Sequence, residues 1–309
     1  MIKSQKTRRI IGNVIVYVIL AISAVIWVFP IFWLIMQSFG VTNSSSSFIP
    51  KRLTFMNYVY LFGGGHPSYA DATSEDMMPL FGSSASFPIM VSSFLRWFLN
   101  TLVVAALCCI ISTAMVLMVA YALSRFRFKS RTTLMKLNLV LGMFPGFLGM
   151  IINYWVMKEI FHLDGTLWAL VILYTAGSGM GFFISKGFFD TISKSIDEAA
   201  MIDGASRAQI FWHIILPLAK PIVVYTMLTS FMGPWGDYIT SSYIIGLQNS
   251  SEFTVAIGLY RWATTQQLAP SYYTRYAAGS VIVAIPMAAL FIATQKYYVG
   301  GVTGGAVKG

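Results

Sequence analysis

DTISKSIDEAAMIDGASRAQIFWHIILPLAKP, residues 190–221, combines charge, alanine and glycine in a dense mixture between long apolar runs. Ser195 can cap a first helix whose first turn carries acids, where the helix dipole favours negative charge. Gly204 permits a sharp turn that a residue with a Cβ resists. A second helix over 205–215 is expected to end or bend at the prolines that follow, because proline removes a backbone donor. The stretch therefore predicts a helix–turn–helix that can insert its small-residue tip into a groove of another protein.

The composition around this stretch excludes a soluble protein. Of 309 residues, 57% are hydrophobic and 10% are charged, against about 45–50% and about 25% in soluble domains. Cys108 and Cys109 are adjacent in an apolar run, so they cannot staple distant segments and are interpreted as packing residues. Disorder, collagen and a disulfide scaffold are excluded as well, and the remaining class is an integral membrane protein.

Six apolar segments are long enough to cross a bilayer, which needs roughly 20 residues of helix. They predict an all-α membrane protein with six transmembrane helices and a cytoplasmic helical loop. The predicted spans are 14–36, 97–123, 134–157, 167–189, 221–244 and 277–298. The predicted cytoplasmic segments are 1–13, 124–133, 190–220 and 299–309, the external ones are 37–96, 158–166 and 245–276, and one domain covers about 97–298.

The placement of lysine and arginine predicts the orientation. With the N-terminus inside, the cytoplasmic segments and the adjoining inner ends of the spans hold 15 of the 21 basic residues, as the positive-inside rule requires. The net charge of +10 is therefore a topology signal rather than a nucleic-acid footprint. The first apolar run, 14–36, is longer than the core of a signal peptide and is interpreted as a retained span.

Several other kinds of site are disfavoured by the residues themselves. No phosphate-binding loop of the Gly-x-x-x-x-Gly-Lys-Ser/Thr type is present, so the chain cannot bind ATP in the usual way and any energy from ATP must come from a partner. Asp203–Arg207 faintly resembles a phosphatidyltransferase signature, but the further aspartates needed to hold metal ions are missing. The three histidines are dispersed, which predicts no metal cluster and no catalytic triad.

Asp237 is the one credible carboxylate inside a predicted span. It can line a translocation cavity and bind a sugar hydroxyl, with Trp235 or Tyr238 stacking nearby. It can equally be satisfied by a neighbouring helix or lie at the external interface. The alternative function, an ion-coupled secondary transporter, would need a chain of such acids.

Five motifs together resemble one family. EAAMIDGASRAQIFWHIILPLAKP is similar to the EAA loop of ABC-importer permeases, with Glu198, two alanines, Gly204 four residues later and a subsequent Ile-x-x-Pro. The other motifs are AYALSRFRF at 120–128, MFPGF at 143–147, and KGFFDTI at 186–192 with the terminal GGVTGGAVKG. The chain thus resembles the smaller permease subunit of maltose/maltodextrin importers, in the binding-protein-dependent family.

The resemblance implies a role for each part of the chain. The chain would be a non-enzymatic subunit in a bacterial cytoplasmic membrane, with no cofactor of its own, forming half of a heterodimeric pore for a di- or oligosaccharide. Its partners would be a second permease subunit, two ATPase subunits that bind ATP and Mg²⁺, and an extracytoplasmic solute-binding protein, which the 245–276 loop would meet. The residues implied to couple to the ATPase are Asp197, Glu198, Ala199, Ala200, Asp203, Gly204 and Ala205. The residues implied to form an ATPase-contacting tail, in a glycine-rich end not expected to be helical, are Gly304, Gly305, Val307, Lys308 and Gly309.

Overall fold

The computed structural model describes residues 5–41, 49–63, 77–79, 90–143, 145–177, 181–264 and 269–304. The chain divides into two compact units, Met1–Thr73 with Arg261–Ile282, and Ser74–Tyr260 with Val283–Gly309. The helices up to the EAA loop are α1 (Gln5–Ser38), α2 (Met56–Gly63), α3 (Ser93–Arg125), α4 (Arg131–Gly142), α5 (Gly146–Trp155), α6 (Leu167–Ala176) and α7 (Gly181–Thr191). From that loop onward they are α8 (Lys194–Ile202), α9 (Arg207–Gln209), α10 (Leu216–Leu218), α11 (Lys220–Gly236), α12 (Tyr238–Ile245), α13 (Val255–Thr264) and α14 (Ala269–Gly304).

The regular secondary structure of the described residues is helical apart from a short antiparallel ribbon and an isolated bridge between Gly40 and Leu53. Strands β1 (Met77–Pro79) and β2 (Met90–Ser92) pair with Met78 opposite Val91. The all-α prediction is confirmed for the membrane domain, and the ribbon is a small addition within the predicted external segment. Ser92 then caps α3 by accepting a hydrogen bond from the Leu95 N–H at 3.3 Å.

Three helices are long and apolar enough to cross a membrane alone: Arg9–Ser38, Ser93–Arg125 and Tyr273–Tyr297. Three bent pairs raise the number to as many as six if each pair counts as one span. The pairs are α4 with the helix that ends at Ile160, α6 with α7, and the stretch Arg207–Leu218 with α11, bent by 101°, 41° and 86°. Three of the predicted spans thus correspond to bent helix pairs, and the sequence analysis predicted the apolar runs without their bends.

Two of the bends lie at prolines, which interrupt helical hydrogen bonding. Pro145 lies between α4 and α5 and has no N–H to donate. Ala219 separates α10 from α11, between Pro217 and Pro221. Asp237 stands between α11 and α12 with extended backbone, at φ −83° and ψ 92°. Each break lies inside or beside an apolar run, where hydropathy alone does not locate it.

In the first unit, polar contacts fix the end of α1. The Asn57 side-chain amide donates to the Ser38 and Gly40 carbonyls at 2.9 and 2.8 Å. The Ser38 and Tyr58 hydroxyls are hydrogen-bonded at 2.6 Å, and Phe39 packs on Tyr58 with ring centroids 5.3 Å apart. The apolar window of α1, by contrast, has none of its residues buried by protein, which suits a helix surrounded by lipid.

In the second unit, the buried core surrounds α3. This helix packs on α6, α7 and α11, and its ends meet different loops. Near its start, Trp97 Nε1 donates to the Ser250 carbonyl at 2.9 Å. Near its end, Tyr121 contacts Phe189 and Phe211, with ring centroids 6.4 and 4.8 Å away. The aromatic end of α3 forms the base on which the EAA loop is built.

The C-terminal helix extends further than the predicted tail allows. We expected residues from 300 onward to be non-helical because of their glycines, but α14 continues to Gly304. A helix already nucleated by a long apolar span adds residues at low cost, which offsets the weak propensity of glycine. Helical structure in residues 300–304 therefore corrects that prediction.

Candidate functional site

The first helix of the EAA loop begins earlier than predicted. Ser193 rather than Ser195 is the N-cap of α8, and its hydroxyl accepts the Ser195 N–H at 3.3 Å. The helix consequently starts at Lys194 and puts Asp197 in its first turn. The two serines share a 2.8 Å hydrogen bond between their hydroxyls, and either is chemically suited to the cap, so the local sequence did not distinguish them.

Gly204 makes the turn that ends α8, as predicted. Its φ is +85°, in the left-handed region that residues with a Cβ disfavour. The Gly204 N–H donates to the Met201 carbonyl at 3.1 Å and the Ala205 N–H to the Ala200 carbonyl at 2.9 Å, the paired hydrogen bonds of a Schellman motif. No atom lies within 4 Å of a Cβ built on Gly204, so the requirement for glycine is conformational rather than steric.

The second helix restarts at Arg207 with a capping box. The Ser206 hydroxyl accepts the Gln209 N–H at 3.3 Å, while the Gln209 side chain accepts the Ser206 N–H at 2.8 Å. The backbone then widens into a π-helical stretch over Ile210–Ile215. Serine and glutamine three residues apart are a signal that the sequence contained, although the helix was expected to begin at Ala205.

One face of this helix–turn–helix is anchored in the core of the second unit. Ala200, Ile210, Phe211 and Ile215 are buried, and they belong to one apolar cluster with Tyr121. Ala200 was expected to pack against a partner protein, but its side chain lies inside this cluster. The helical period explains the outcome, because Asp197 and Ala200 are three residues apart and share the inward face.

A buried ion pair fastens α8 to the end of α3. Arg125 Nε lies 2.9 Å from Asp197 Oδ2, with side chains 4% and 10% exposed. Arg125 Nη2 also donates to the Ile192 carbonyl at 3.0 Å. Burial raises the pKa of the Asp197 carboxyl, and the charges of Arg125 and Arg207 act in the opposite direction. Asp197 therefore forms an ion pair inside the protein rather than a contact with a partner protein. Its partner is Arg125, which served only as a topology signal in the sequence.

The outward face of α8 and its turn carries the remaining predicted coupling residues. Glu198, Ala199, Asp203 and Gly204 are exposed, and Ala205 is half-buried. Ile202, which the sequence analysis did not single out, is 87% exposed. The anchored helix and its turn therefore expose two acids, small residues and an isoleucine to solvent.

The predicted cavity residues do not converge on one site. Asp237 Oδ1 caps α12 by accepting the Thr240 N–H at 2.9 Å, and Oδ2 accepts the Tyr174 hydroxyl at 3.0 Å. Trp235 is buried against Phe98, with ring centroids 5.1 Å apart. Tyr238 stacks on Tyr260 at 3.8 Å between centroids. Both oxygens of Asp237 have partners in the protein, as the alternative of an acid satisfied by a neighbouring helix expects.

A cavity of about 310 Å³ lies beside these residues. It is bordered by α3, α6, α7 and α11, and Tyr174 connects it to Asp237. Trp235, Asp237 and Tyr238 are not among its lining residues. Hydroxyl and thiol side chains that line it include Cys108, Ser112, Tyr174, Thr226, Thr229 and Ser230.

The described part of the predicted 245–276 loop is held close to α3. The Ser251 carbonyl accepts hydrogen bonds from Arg96 Nε and Asn100 Nδ2 at 3.2 and 2.8 Å. The Asn249 side chain is used locally, accepting the Ser251 hydroxyl at 2.6 Å. Residues 265–268 of this loop lie outside the described residues. Of the predicted ATPase-contacting tail, only Gly304 is described, as the last residue of α14, and Gly305, Val307, Lys308 and Gly309 lie outside.

Comparisons with known proteins cover most of the chain. The family described as "binding-protein-dependent transport system inner membrane component" matches residues 114–299. The chain is 35% identical to the galactooligosaccharides transport system permease protein GanQ of Bacillus subtilis, over 100% of both chains. It is 31% identical to the maltodextrin transport system permease protein MalD of Streptococcus pneumoniae, again over 100% of both.

Among solved structures, the fold matches a chain of a bacterial ABC transporter involved in the import of the acidic polysaccharide alginate. The TM-score is 0.74 at 20% identity, covering 96% of this chain and 99% of that one. A second match is to an alginate ABC transporter in complex with its alginate pentasaccharide-bound periplasmic protein, with a TM-score of 0.61 at 14% identity. These likenesses support the fold, and the curated relatives support the kind of transport.

Proposed function

The chain belongs to the family of inner membrane components of binding-protein-dependent transport systems and is an ABC-importer permease for sugars or oligosaccharides, and we propose that it forms half of a heterodimeric pore that two ATPase subunits drive. The substrate would be a maltodextrin-like di- or oligosaccharide, delivered by an extracytoplasmic binding protein. Membership of this family favours an ATP-driven importer over the alternative function, an ion-coupled secondary transporter. In the proposed arrangement, both termini are in the cytoplasm and the membrane is the bacterial inner membrane.

The observation that carries this proposal is the anchored and projecting geometry of the EAA loop. Ala200 and Ile210 hold it to the core, and Arg125 pairs with Asp197. Glu198, Ala199 and Ile202 remain outside. Such a segment can transmit a displacement to α3, because its buried side is packed against α3 and moves with it. Its exposed side remains accessible to a partner protein.

The proposed mechanism is alternating access. ATP and Mg²⁺ are bound by the ATPase subunits, which supply the energy. Closure of the ATPase dimer moves α8, and the buried ion pair and aromatic cluster transfer that displacement to α3 and so to the helices of the pore. The pore then accepts sugar from the docked binding protein, and hydrolysis resets it. The two states differ in the contacts of α8 with its partner, and this difference couples hydrolysis to transport.

A substitution at Gly204 tests the proposal, because glycine is required there for its backbone angle and not for lack of space. Gly204→Val places a β-branched residue at a φ of +85°, which costs on the order of 1–3 kcal/mol and distorts the tip. We expect membrane insertion to persist while sugar uptake falls by roughly 5- to 150-fold, the range to which that free-energy cost corresponds. Gly204→Asn is the matched control, because asparagine tolerates the left-handed region, and it should keep most of the uptake. Full uptake by Gly204→Val in membrane vesicles would contradict the coupling role.

A further inference from the structure

A broad groove beside α8 carries cations that the mechanism described so far does not use. Its volume is about 700 Å³, and it lies between the residues that follow α3 and the EAA loop. Phe126 and Met201 contribute apolar surface to it. Four cations and two acids line the rest: Arg125, Arg127, Lys194, Arg207, Asp197 and Glu198.

The charges of the groove do not balance. Arg125 and Asp197 neutralise each other in the buried ion pair. The three other cations then face a single acid, Glu198. In the described part of the chain, the second ion pair joins Lys186 to Asp190 and leaves these three cations out. The groove is therefore a net cationic surface with one carboxylate inside it.

Arg207 is held in a fixed place rather than free on a mobile chain. Its guanidinium carbon lies 5.2 Å from the centroid of the Phe126 ring, a cation–π arrangement. Its residue is the first of α9, directly after the capping box. A cation positioned this way loses little side-chain entropy on meeting a carboxylate, which favours specific pairing.

An apolar tip stands next to these charges. Ile202 is 87% exposed and Met201 is 38% exposed, at the end of α8. A bare isoleucine on a short polar helix is stabilised when a partner covers it. Met201 lines the groove together with Arg127, Lys194 and Arg207, and Ile202 follows Met201 at the end of α8. We name these five residues the cationic docking surface.

We propose that the cationic docking surface binds an acidic rim on the ATPase subunit, whose apolar cleft receives Ile202. The inference rests on the proposed function and adds the chemistry of the partner. The acids that the resemblance assigns to coupling, Glu198 among them, would call for a basic partner surface. The groove places three cations around that glutamate, so the larger part of the complementary charge on the partner is negative.

Charge pattern favours a protein partner over anionic lipid. Glu198 and Asp203 are exposed on the same helix and its turn, and an anionic leaflet would repel both. A folded protein can place a carboxylate against each cation and a donor against Glu198, whereas a lipid surface presents one sign of charge. The cationic docking surface therefore fits a surface of mixed but mainly acidic character.

The test measures the affinity between the permease complex, in phosphatidylcholine nanodiscs, and the ATPase subunit that co-purifies with the wild-type complex. The triple variant Arg127→Gln/Lys194→Gln/Arg207→Gln should bind about tenfold more weakly and show a flatter salt dependence. The control Lys129→Gln/Lys136→Gln/Lys220→Gln removes the same charge from exposed cations outside the groove and should bind like the wild type. A charge-preserving Arg127→Lys/Arg207→Lys variant should retain most of the affinity, which excludes a folding defect.

Equal affinities for the groove triple and its control would overturn the inference. So would a difference that is absent in phosphatidylcholine and arises only when phosphatidylglycerol is added, because the occupant would then be the membrane. Failure of the proposed function is a separate result, in which the wild-type complex binds no ATPase subunit at all or Gly204→Val keeps full uptake. Binding by the wild type with no effect of the triple variant refutes only the acidic-rim inference.

Discussion

Asp197 is buried at a helix position where an acid is usually solvated. An acid in the first turn of a short polar helix is normally a solvated residue that favours the helix dipole. In this protein, Asp197 as a whole residue is 7% exposed, and its carboxylate lies against the Arg125 guanidinium. Burial of both charges makes each depend on the other, because removing one leaves an uncompensated charge in an apolar cluster.

Removing one partner of this pair should therefore be more harmful than removing both. We expect Arg125→Met or Asp197→Leu alone to cost about 3–5 kcal/mol of stability, and the double variant to recover much of that loss. The measurement is the thermal unfolding midpoint of the detergent-solubilised protein. Lys186→Met serves as the control, since the Lys186–Asp190 pair is partly exposed at 15% and 40%, and its loss should cost about 1 kcal/mol or less. Additive effects of the two single variants would contradict a coupled pair.

At the scale of elements, close contact between two helices depends on one glycine. A Cβ built on Gly258, in α13, would lie 1.9 Å from the indole of Trp97 in α3. Trp97 is 3% exposed and its indole N–H is bonded to the Ser250 carbonyl, so the ring has little freedom to retreat. Glycine here serves close packing, whereas Gly204 serves a backbone angle.

Gly258→Ala should accordingly destabilise the protein by about 1–3 kcal/mol through overpacking. Gly187→Ala, in α7, is the matched control, because no atom lies within 4 Å of the added Cβ, and it should gain roughly 0.5–1 kcal/mol from helix propensity. Thermal midpoints of the two purified variants give the comparison. A stability for Gly258→Ala equal to that of the wild type would show that α13 can shift away from α3.

The C-terminal element supports a second prediction. Since α14 continues to Gly304, the proposed ATPase-contacting tail is narrowed to the residues after it. Truncation after Gly304 should leave the helix and complex assembly intact while lowering ATP hydrolysis stimulated by loaded binding protein several-fold. Hydrolysis and uptake at the full-length level in proteoliposomes would show that these residues have no coupling role.

At the scale of the whole molecule, hydrogen bonds connect one loop to the start of α3 and another loop to its end. The Ser250–Ser251 carbonyls meet the start of α3 through Trp97 and Asn100. At the other end of α3, the Ser124 hydroxyl donates to Asp190 at 2.6 Å. The predicted external and cytoplasmic loops thus meet opposite ends of one long apolar helix, as a helix that crosses the membrane requires.

This sidedness predicts a labelling pattern. In a Cys108→Ala/Cys109→Ala background, Gln248→Cys should react with a membrane-impermeant maleimide from the outside of right-side-out vesicles. Ser195→Cys should react only after the membrane is permeabilised. Both positions are exposed in the protein, so protection reports the membrane rather than burial. Labelling of both cysteines from the same side would contradict the positive-inside orientation.

Several features follow from local sequence alone. Hydropathy and charge bias determined the membrane class, the predicted spans and their proposed orientation, because lipid requires long apolar helices and cations resist translocation. The turn at Gly204 also followed, since a left-handed φ is a local requirement. The EAA pattern, with four further motifs, predicted the family that the comparisons then showed.

Only the tertiary structure decided which side of the EAA loop faces inward. Local propensity makes 194–202 a helix, but its rotation is set by the cluster around Tyr121 and by Arg125, about 70 residues earlier in the chain. The bends within the apolar runs and the partners of Asp237 were likewise decided there. Hydropathy measures how apolar a segment is and carries no information on which distant side chain it meets. For that reason the sequence placed Asp197 and Ala200 on a partner-facing surface, and packing placed them in the core.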